Sequence, residues 1–218
     1  MSNYLIILKD EDYMIWPILT YIVKLFMNIY YLLYVIPLLY NIIPISIIII
    51  YDIIQIFISI TYNLKKRVPF YDTIDYVSIN TKILINSFMY YIAYISKLDN
   101  ITWHIIQDMN IIYTVYMMYI SLCIRNNDKY YICRKEKYTN IIIIFLLGVI
   151  PMLLDNSLYR NNIYINYCIL SYIIGGIIWV MEIPERYMKI RYFDSVGWMH
   201  VCIIIGDLYL INSLGYIR

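Results

Sequence analysis

His200 has the clearest capacity for chemistry in this sequence, because it lies in the first turn of an apolar segment that follows a charged loop. The stretch reads EIPERYMKIRYFDSVGWMHVCIIIGDLYL over residues 182–210. An imidazole at such a helix start can bind a metal ion, or it can be the remnant of a site that has lost its metal. Catalytic zinc needs three protein ligands and a fourth position open to water, so other ligands would have to join His200.

The other histidine and the cysteines are poor candidates for those ligands. His104 begins a different predicted helix, at the opposite side of the membrane by the loop charges described below. The four cysteines lack the CxxC spacing of zinc sites and are interpreted as small apolar residues or free thiols. Cys202 follows His200 by two residues, about 200° round a helix, and is expected to point away from it.

The composition is that of a polytopic membrane protein. Of 218 residues, 62% are hydrophobic and 15% are charged, whereas a soluble protein has about 45–50% apolar and about 25% charged residues. Apolar runs of about 20 residues, long enough to cross a bilayer, recur along the chain. Backbone groups in lipid must be paired within the segment, so these runs are predicted to be helices. Abundant isoleucine, tyrosine and asparagine indicate an AT-rich genome, such as that of a large DNA virus or an intracellular parasite.

Charged residues, prolines and Asn-rich pieces divide the chain into seven predicted membrane helices. No internal repeat or long linker suggests a second domain, so residues 1–218 are predicted to form a single domain. The predicted fold class is an all-α membrane protein, a seven-transmembrane helical bundle. The predicted helices cover residues 14–36, 42–62, 76–96, 103–123, 139–155, 162–182 and 196–216.

Lysine and arginine are distributed asymmetrically between the loops. The loops after the first, third and fifth helices hold only Lys97 and Arg160. By the positive-inside rule, the other, cation-rich loops and the N-terminus are cytoplasmic and the C-terminus is outside. This orientation is opposite to that of G-protein-coupled receptors and disfavours that class. The loops after the second, fourth and sixth helices hold Lys65, Lys66, Arg67, Arg125, Lys129, Arg134, Lys135, Lys137, Arg186, Lys189 and Arg191.

Two stretches carry a family resemblance. The first stretch, residues 175–200, matches a motif in which a Pro-Glu-Arg loop leads to Phe-Asp and then to a helix that opens Ser-His-x-x-x-His. The second stretch, residues 50–79, matches Ser-x-x-Tyr-His at the end of the second helix, followed by Leu-Asp-Tyr at the start of the third. In these motifs the chain resembles the hemolysin III and adiponectin/progestin receptor family. The matching residues are Pro184, Glu185, Arg186, Phe193, Asp194, Gly197 and His200 in the first, and Ser59, Tyr62, Asp75 and Tyr76 in the second.

The resemblance implies a zinc ion near the cytoplasmic end of the bundle, held by one histidine of the second helix and two of the seventh. It also implies either receptors for lipid-related signals or zinc-dependent lipid amidases related to alkaline ceramidases. Here Asn63 stands at the second-helix histidine and Ile204 at the last one, so His200 is the one ligand that remains. No zinc or other cofactor is therefore expected. Ser59 and Asp75, with those three residues, are interpreted as a remnant site.

Three ionisable residues are predicted to lie deeper in the helices that would build this site. They are Asp52, Lys82 and Asp207, each seven residues from a member of the remnant site. Seven residues are two helical turns, about 10 Å along the axis and on nearly the same face. Because charges inside a membrane are costly and usually paired, the hypothesis is that Lys82 bridges Asp52 and Asp207. Asp108 is a further candidate for a buried acid.

The missing ligands favour a non-catalytic membrane protein that acts in membrane or lipid-linked signalling. Its expected partners are membrane lipids and a lipid or sterol-like ligand, and the net charge of +2 gives no indication of nucleic-acid binding. The alternative is a zinc-dependent lipid amidohydrolase with atypical ligands. Membrane permeabilisation, which the family name suggests, is disfavoured because the intramembrane charges are few and of both signs.

Overall fold

The computed structural model of the chain describes residues 18–35, 41–64, 69–94, 101–125, 134–154, 163–183 and 195–216. These residues are helical almost throughout and contain no β-strand, which confirms the all-α part of the predicted fold class. The last turns of the first helix, Tyr31–Val35, are π-helical. The helices within the described residues are α1 Ile18–Val35, α2 Ile42–Leu64, α3 Pro69–Ala93, α4 Ile101–Arg125, α5 Arg134–Leu154, α6 Ile163–Met181 and α7 Ser195–Tyr216.

Four of the described helices are long and apolar enough to cross a membrane. The stretches that qualify contain 18 to 23 residues, and about 20 helical residues cover the roughly 30 Å of bilayer hydrocarbon. They belong to α1, α2, α6 and α7 and support a membrane protein. Their bounds are Ile18–Val35, Ile42–Leu64, Ile163–Met181 and Ser195–Gly215.

α3 begins earlier than the sequence predicts. The predicted third helix starts at residue 76, whereas α3 starts at Pro69. Proline suits the first position of a helix, because its φ angle is already helical and the missing N–H has no intrahelical acceptor there. Asp75 therefore lies in the second turn of α3 rather than at its start. α5 likewise begins at Arg134 instead of residue 139.

The helices pack in two groups that meet at α2 and α7. α3 packs against α2, α4 and α5, and α6 packs along α7. Glycines allow the close approach of α6 and α7, as small residues do in many membrane proteins. A Cβ added at Gly175 would lie 2.9 Å from Cys202 Cβ, and one added at Gly206 would lie 2.5 Å from the ring of Tyr172.

The buried face of α2 changes from apolar to polar along its length. Ile45 and Ile49, four residues apart on one face, are fully buried in the core. Further along α2, the buried residues include Asp52, Ser59 and Asn63. α2 therefore contributes to the apolar core with its first half and positions polar side chains inside the protein with its second half.

Asp108 is exposed, which corrects the expectation that it is a buried acid. It shares the outer face of α4 with Ile112 and Val115, which are also exposed. The rotation of α4 is set instead by Asn110, which is fully buried and donates to Ser87 Oγ of α3 at 3.2 Å. Because Asp108 precedes Asn110 by two residues, it points about 200° away, out of the helix packing.

Candidate functional site

Two lysines and two aspartates form an ion-pair network between α1, α2, α3 and α7. Lys82 Nζ lies 2.7 Å from Asp52 Oδ1 and 2.7 Å from Asp207 Oδ2. Lys24 Nζ lies 3.1 Å from Asp52 Oδ2 and 2.5 Å from Asp207 Oδ2. Each lysine therefore contacts both carboxylates. These four residues are called the charge cluster below.

The charge cluster is buried and its formal charges cancel. The Asp52 side chain is 0% exposed and each lysine side chain is 8% exposed. The hydroxyl of Tyr172 on α6 donates to Asp207 Oδ1 at 2.5 Å. Removing an ion from water costs several kcal/mol, and close pairing with opposite charges offsets that cost. The cluster and Tyr172 together link five helices through charge-assisted contacts.

The structure brings together the three charged residues that the sequence hypothesis groups, and it adds a fourth. Lys82 contacts both aspartates at the distances given above, but it is not the single bridging cation of the hypothesis, because Lys24 bridges the same two carboxylates. α1 carries none of the motif residues, so Lys24 was missed. A single lysine within an apolar helix is itself a signal, since such residues usually face a partner inside the protein.

Ser59, Asn63 and Asp75 lie together where α2 meets α3. Ser59 Oγ donates to Asp75 Oδ1 at 2.5 Å. Asn63 Nδ2 donates to the backbone carbonyl of Ser59 at 2.8 Å, within its own helix. Ser59 and Asn63 are buried, whereas Asp75 is partly exposed. The serine thus holds the carboxylate, and the amide nitrogen of the asparagine is turned back onto the backbone.

His200 pairs with Tyr21, a residue of α1 that the sequence analysis did not single out. The Tyr21 hydroxyl hydrogen-bonds His200 Nε2 at 2.8 Å, and the two rings meet edge to face with centroids 4.5 Å apart. The same hydroxyl lies beside Ser59 and Asn63. The hydroxyl of Tyr21 therefore joins Ser59 and Asn63 of α2 to the histidine of α7.

The side chains around His200 do not fit a zinc ion. Ile204, one turn further along α7, presents an alkyl group to an apolar cavity. His200 Nε2 is engaged by Tyr21 and Asp75 Oδ1 by Ser59. In the part of the chain that the structure describes, no three histidine, cysteine, aspartate or glutamate side chains are grouped to hold a metal ion. Zinc needs three such ligands, and this site offers two.

The remaining candidates from the sequence lie elsewhere or outside the described residues. His104 Nδ1 hydrogen-bonds the hydroxyl of Tyr91 on α3. Cys202 packs against Gly175 of α6, whereas His200 lines the cavity described next. The residues of the motif loop that lie outside the described ranges are Pro184, Glu185, Arg186 and Asp194.

A cavity of about 520 Å³ lies beside the charge cluster and the remnant site. Its walls are mostly isoleucine, leucine, valine and aromatic side chains of α3, α5, α6 and α7. The volume falls within the roughly 300–1,000 Å³ of typical ligand sites. A long apolar wall with one polar end suits an amphipathic molecule. The polar end is formed by Tyr21, Lys24, Ser59, Lys82 and His200, and Gln55, Asn86 and Ser87 add further polar groups to the lining.

The cavity reaches the protein surface between α5 and α6. Ile142 and Leu146 of α5 and Ile173 and Ile177 of α6 line it, and each is between 42% and 49% exposed. α5 packs mainly on α3 and α4, and α6 packs mainly on α7. α5 and α6 meet at two aromatic pairs, Tyr138–Trp179 and Phe145–Tyr172, and the exposed lining residues lie beside these contacts. A molecule that enters there meets apolar side chains first and charged groups last.

A scan against protein-family models gives no match for this chain, and a search of curated proteins gives no significant match. The family resemblance thus depends on the motif residues themselves. The side-chain geometry is the basis for assigning a function.

Proposed function

We propose that this chain is a seven-span membrane protein that binds a lipid between its helices and acts in membrane or lipid-linked signalling without catalysis. In this proposal α1 to α7 all cross the membrane, with the N-terminus in the cytoplasm and the C-terminus outside. The proposed arrangement of the seven helices is that of the hemolysin III and adiponectin/progestin receptor family, without the zinc site of that family. The observation that carries the proposal is the cavity of about 520 Å³ with apolar walls and a charged end.

The cavity is better suited to a lipid than to water or a soluble metabolite. Apolar cavities tend to stay dry, and the open side between α5 and α6 is flanked by isoleucine and leucine. Because bilayer hydrocarbon is as apolar as such walls, an acyl chain gains little by moving from the bilayer into the cavity. The polar groups at the inner end would therefore decide which lipids are selected.

The seven-span topology is supported by helix length and by the position of buried polar groups. α3, α4 and α5 contain 25, 25 and 21 residues, enough to cover about 30 Å of hydrocarbon. Their polar residues include Asn80 and Asn110, each 0% exposed, so these amides would not face lipid. The asymmetry of lysine and arginine between the loops supports the cytoplasmic N-terminus.

Cysteine labelling tests the topology. In a chain whose native cysteines are replaced by alanine, Lys129→Cys and Asn156→Cys place single thiols in the loops that flank α5. With a membrane-impermeant maleimide on intact cells, we expect labelling at position 156 and, only after permeabilisation, at position 129. Labelling of both positions from the same side would show that α5 does not cross the membrane. Labelling with the opposite pattern would reverse the orientation.

A matched pair of substitutions tests lipid binding. Ile173 and Ile174 are neighbours on α6 with nearly equal exposure, 42% and 43%, but Ile173 lines the cavity and Ile174 does not. Protein purified in nanodiscs is offered a photoreactive acyl lipid, and the cross-linked product is quantified by mass spectrometry. We expect Ile173→Trp to abolish cross-linking within the cavity and Ile174→Trp to leave it unchanged. Equal cross-linking in both variants would contradict the proposal.

The retained Ser59, Asp75 and His200 favour one alternative, a zinc-dependent lipid amidohydrolase with atypical ligands. The hydrogen bonds of His200 and Asp75 to uncharged hydroxyl groups support the non-catalytic proposal instead, because they occupy the atoms that zinc would need. Zinc analysis of the purified protein distinguishes the two. About one zinc per chain, lost in His200→Ala, would establish the metal site and favour the hydrolase.

A further inference from the structure

The two lysines of the charge cluster have hydrogen-bonding capacity that the aspartates do not use. An ammonium group carries three N–H donors and no acceptor. Lys24 Nζ lies within 3.1 Å of one oxygen from each aspartate, and Lys82 Nζ lies 2.7 Å from one oxygen of each. Each lysine is thereby ion-paired with both carboxylates, and the contact of Lys82 Nζ with Asp207 Oδ2 is also a hydrogen bond. At least one donor of each lysine is left unassigned among the residues that the structure describes.

These unassigned donors belong to the side of the cluster that borders the cavity. Lys24 and Lys82 both line the cavity, whereas Asp52 and Asp207 do not. A molecule in the cavity therefore meets the ammonium groups and is separated from the carboxylates by them. An acceptor oxygen at this position would receive N–H groups from one or both lysines.

The charge balance of the cluster restricts the class of that acceptor. Two cations and two anions cancel, so no unpaired positive charge is present to compensate an anionic ligand. Burying an additional carboxylate without a counter-charge is strongly unfavourable. A carbonyl oxygen can accept the same hydrogen bonds and loses much less hydration on burial. A plain hydrocarbon leaves the donors without a partner.

We propose that the end of the cavity at Lys24 and Lys82 binds the carbonyl oxygen of an uncharged acyl ester or amide, and that it selects against free fatty-acid anions and plain hydrocarbons. This inference rests on the proposed lipid-binding function and adds the chemical class of the ligand. The acyl chain runs along the apolar wall toward the opening between α5 and α6. Because each lysine is paired with both aspartates, its ammonium group is already held in place when the ligand binds.

Competition between three ligands of similar chain length tests this selectivity. Protein in nanodiscs is loaded with a fluorescent acyl ester, and displacement by methyl palmitate, palmitate at pH 9 or hexadecane is measured against empty nanodiscs. The ester is expected to compete about 10-fold or more better than hexadecane, the ratio given by one hydrogen bond to a charged donor. Palmitate, ionised at pH 9, is expected to compete no better than hexadecane.

A charge-balanced variant tests whether the charge cluster is the source of the selectivity. The double variant Lys24→Met/Asp52→Asn removes one cavity-facing ammonium and one carboxylate, so the cluster stays neutral with Lys82 and Asp207 still paired. We expect methyl palmitate to lose about 10-fold in affinity, with hexadecane unchanged. The wild-type comparison stands by itself if this variant does not fold. Retention of the full ester preference in the double variant would overturn the assignment to Lys24.

The outcomes separate this inference from the function on which it rests. If the fluorescent ester does not bind the wild type, or binds equally in Ile173→Trp, the lipid-binding function itself fails and the inference fails with it. If the ester binds in the cavity but palmitate or hexadecane displaces it as well as methyl palmitate does, lipid binding stands and the carbonyl selectivity is wrong.

Discussion

Removal of a single lysine from the charge cluster is the most direct perturbation of this protein. In Lys82→Met, an uncharged side chain of similar length replaces the lysine, and the cluster keeps Lys24 with two carboxylates. Lys24 Nζ is 3.1 Å from one carboxylate and 2.5 Å from the other, so one cation is left to compensate two anions. Asp52 is 0% exposed and does not line the cavity, so its carboxylate remains buried after the substitution.

The expected loss follows from the cost of an unbalanced buried charge. Removing one partner of a buried ion pair costs about 3–5 kcal/mol, whereas replacing a whole pair by uncharged groups is often neutral. The double variant Lys82→Met/Asp52→Asn restores neutrality and leaves Lys24 paired with Asp207. We therefore expect it to recover at least about half of the loss. The coupling between the two substitutions, which is this recovery plus the separate cost of Asp52→Asn, should therefore be at least about 2 kcal/mol.

The measurement is a double-mutant cycle on the unfolding of purified protein in mixed micelles. Wild type, Lys82→Met, Asp52→Asn and the double variant are titrated with denaturing detergent and followed by tryptophan fluorescence. A loss below about 1 kcal/mol in Lys82→Met would refute the buried, unhydrated cluster. Additive losses in the double variant would refute the coupling between the two charges.

The remaining predictions concern helix packing and the remnant site. Gly206→Ala should destabilise the fold by about 1–3 kcal/mol, because its methyl group would lie 2.5 Å from the ring of Tyr172. The control Gly176→Ala meets nothing within 4 Å and should be neutral or slightly stabilising in the same unfolding assay. Tyr21→Phe should cost about 1 kcal/mol by leaving the partly buried nitrogen of His200 without its partner. An unchanged unfolding midpoint would show that this hydrogen bond does not contribute to stability. The triple variant Tyr21→Phe/Asn63→His/Ile204→His has three imidazoles at the site, including that of His200, and metal analysis should find about one zinc per chain. Failure to take up zinc would show that these three positions do not converge.

The resemblance and the helical spacing together predict most of the charge cluster. Asp52, Lys82 and Asp207 were grouped because two full helical turns keep a residue on nearly the same face as its reference position. The same spacing could not reveal Lys24 or Tyr21. Both lie on α1, and no motif residue in that helix tells which of its faces turns toward α2 and α7.

Asp108 shows the limit of reasoning from residue type. It is an acid in a mainly apolar helix, as Asp52 is, and the same rule predicts a buried partner for both. α2 turns Asp52 inward with its neighbouring isoleucines, whereas α4 turns Asn110 inward and Asp108 outward. The rotation of a helix about its axis depends on every contact along its length, so one charged residue does not decide it.

The sequence by itself determined the helical class and the apolar segments, because both follow from composition and from the length that a bilayer requires. It also showed, through Asn63 and Ile204, that two of the zinc ligands implied by the resemblance are absent. Only the tertiary structure decided that a second lysine neutralises the cluster, that Tyr21 engages His200, and that a cavity lies between α5 and α6. These features depend on how helices distant in sequence dock against one another, and the spacing of residues within a single helix carries no information about that docking.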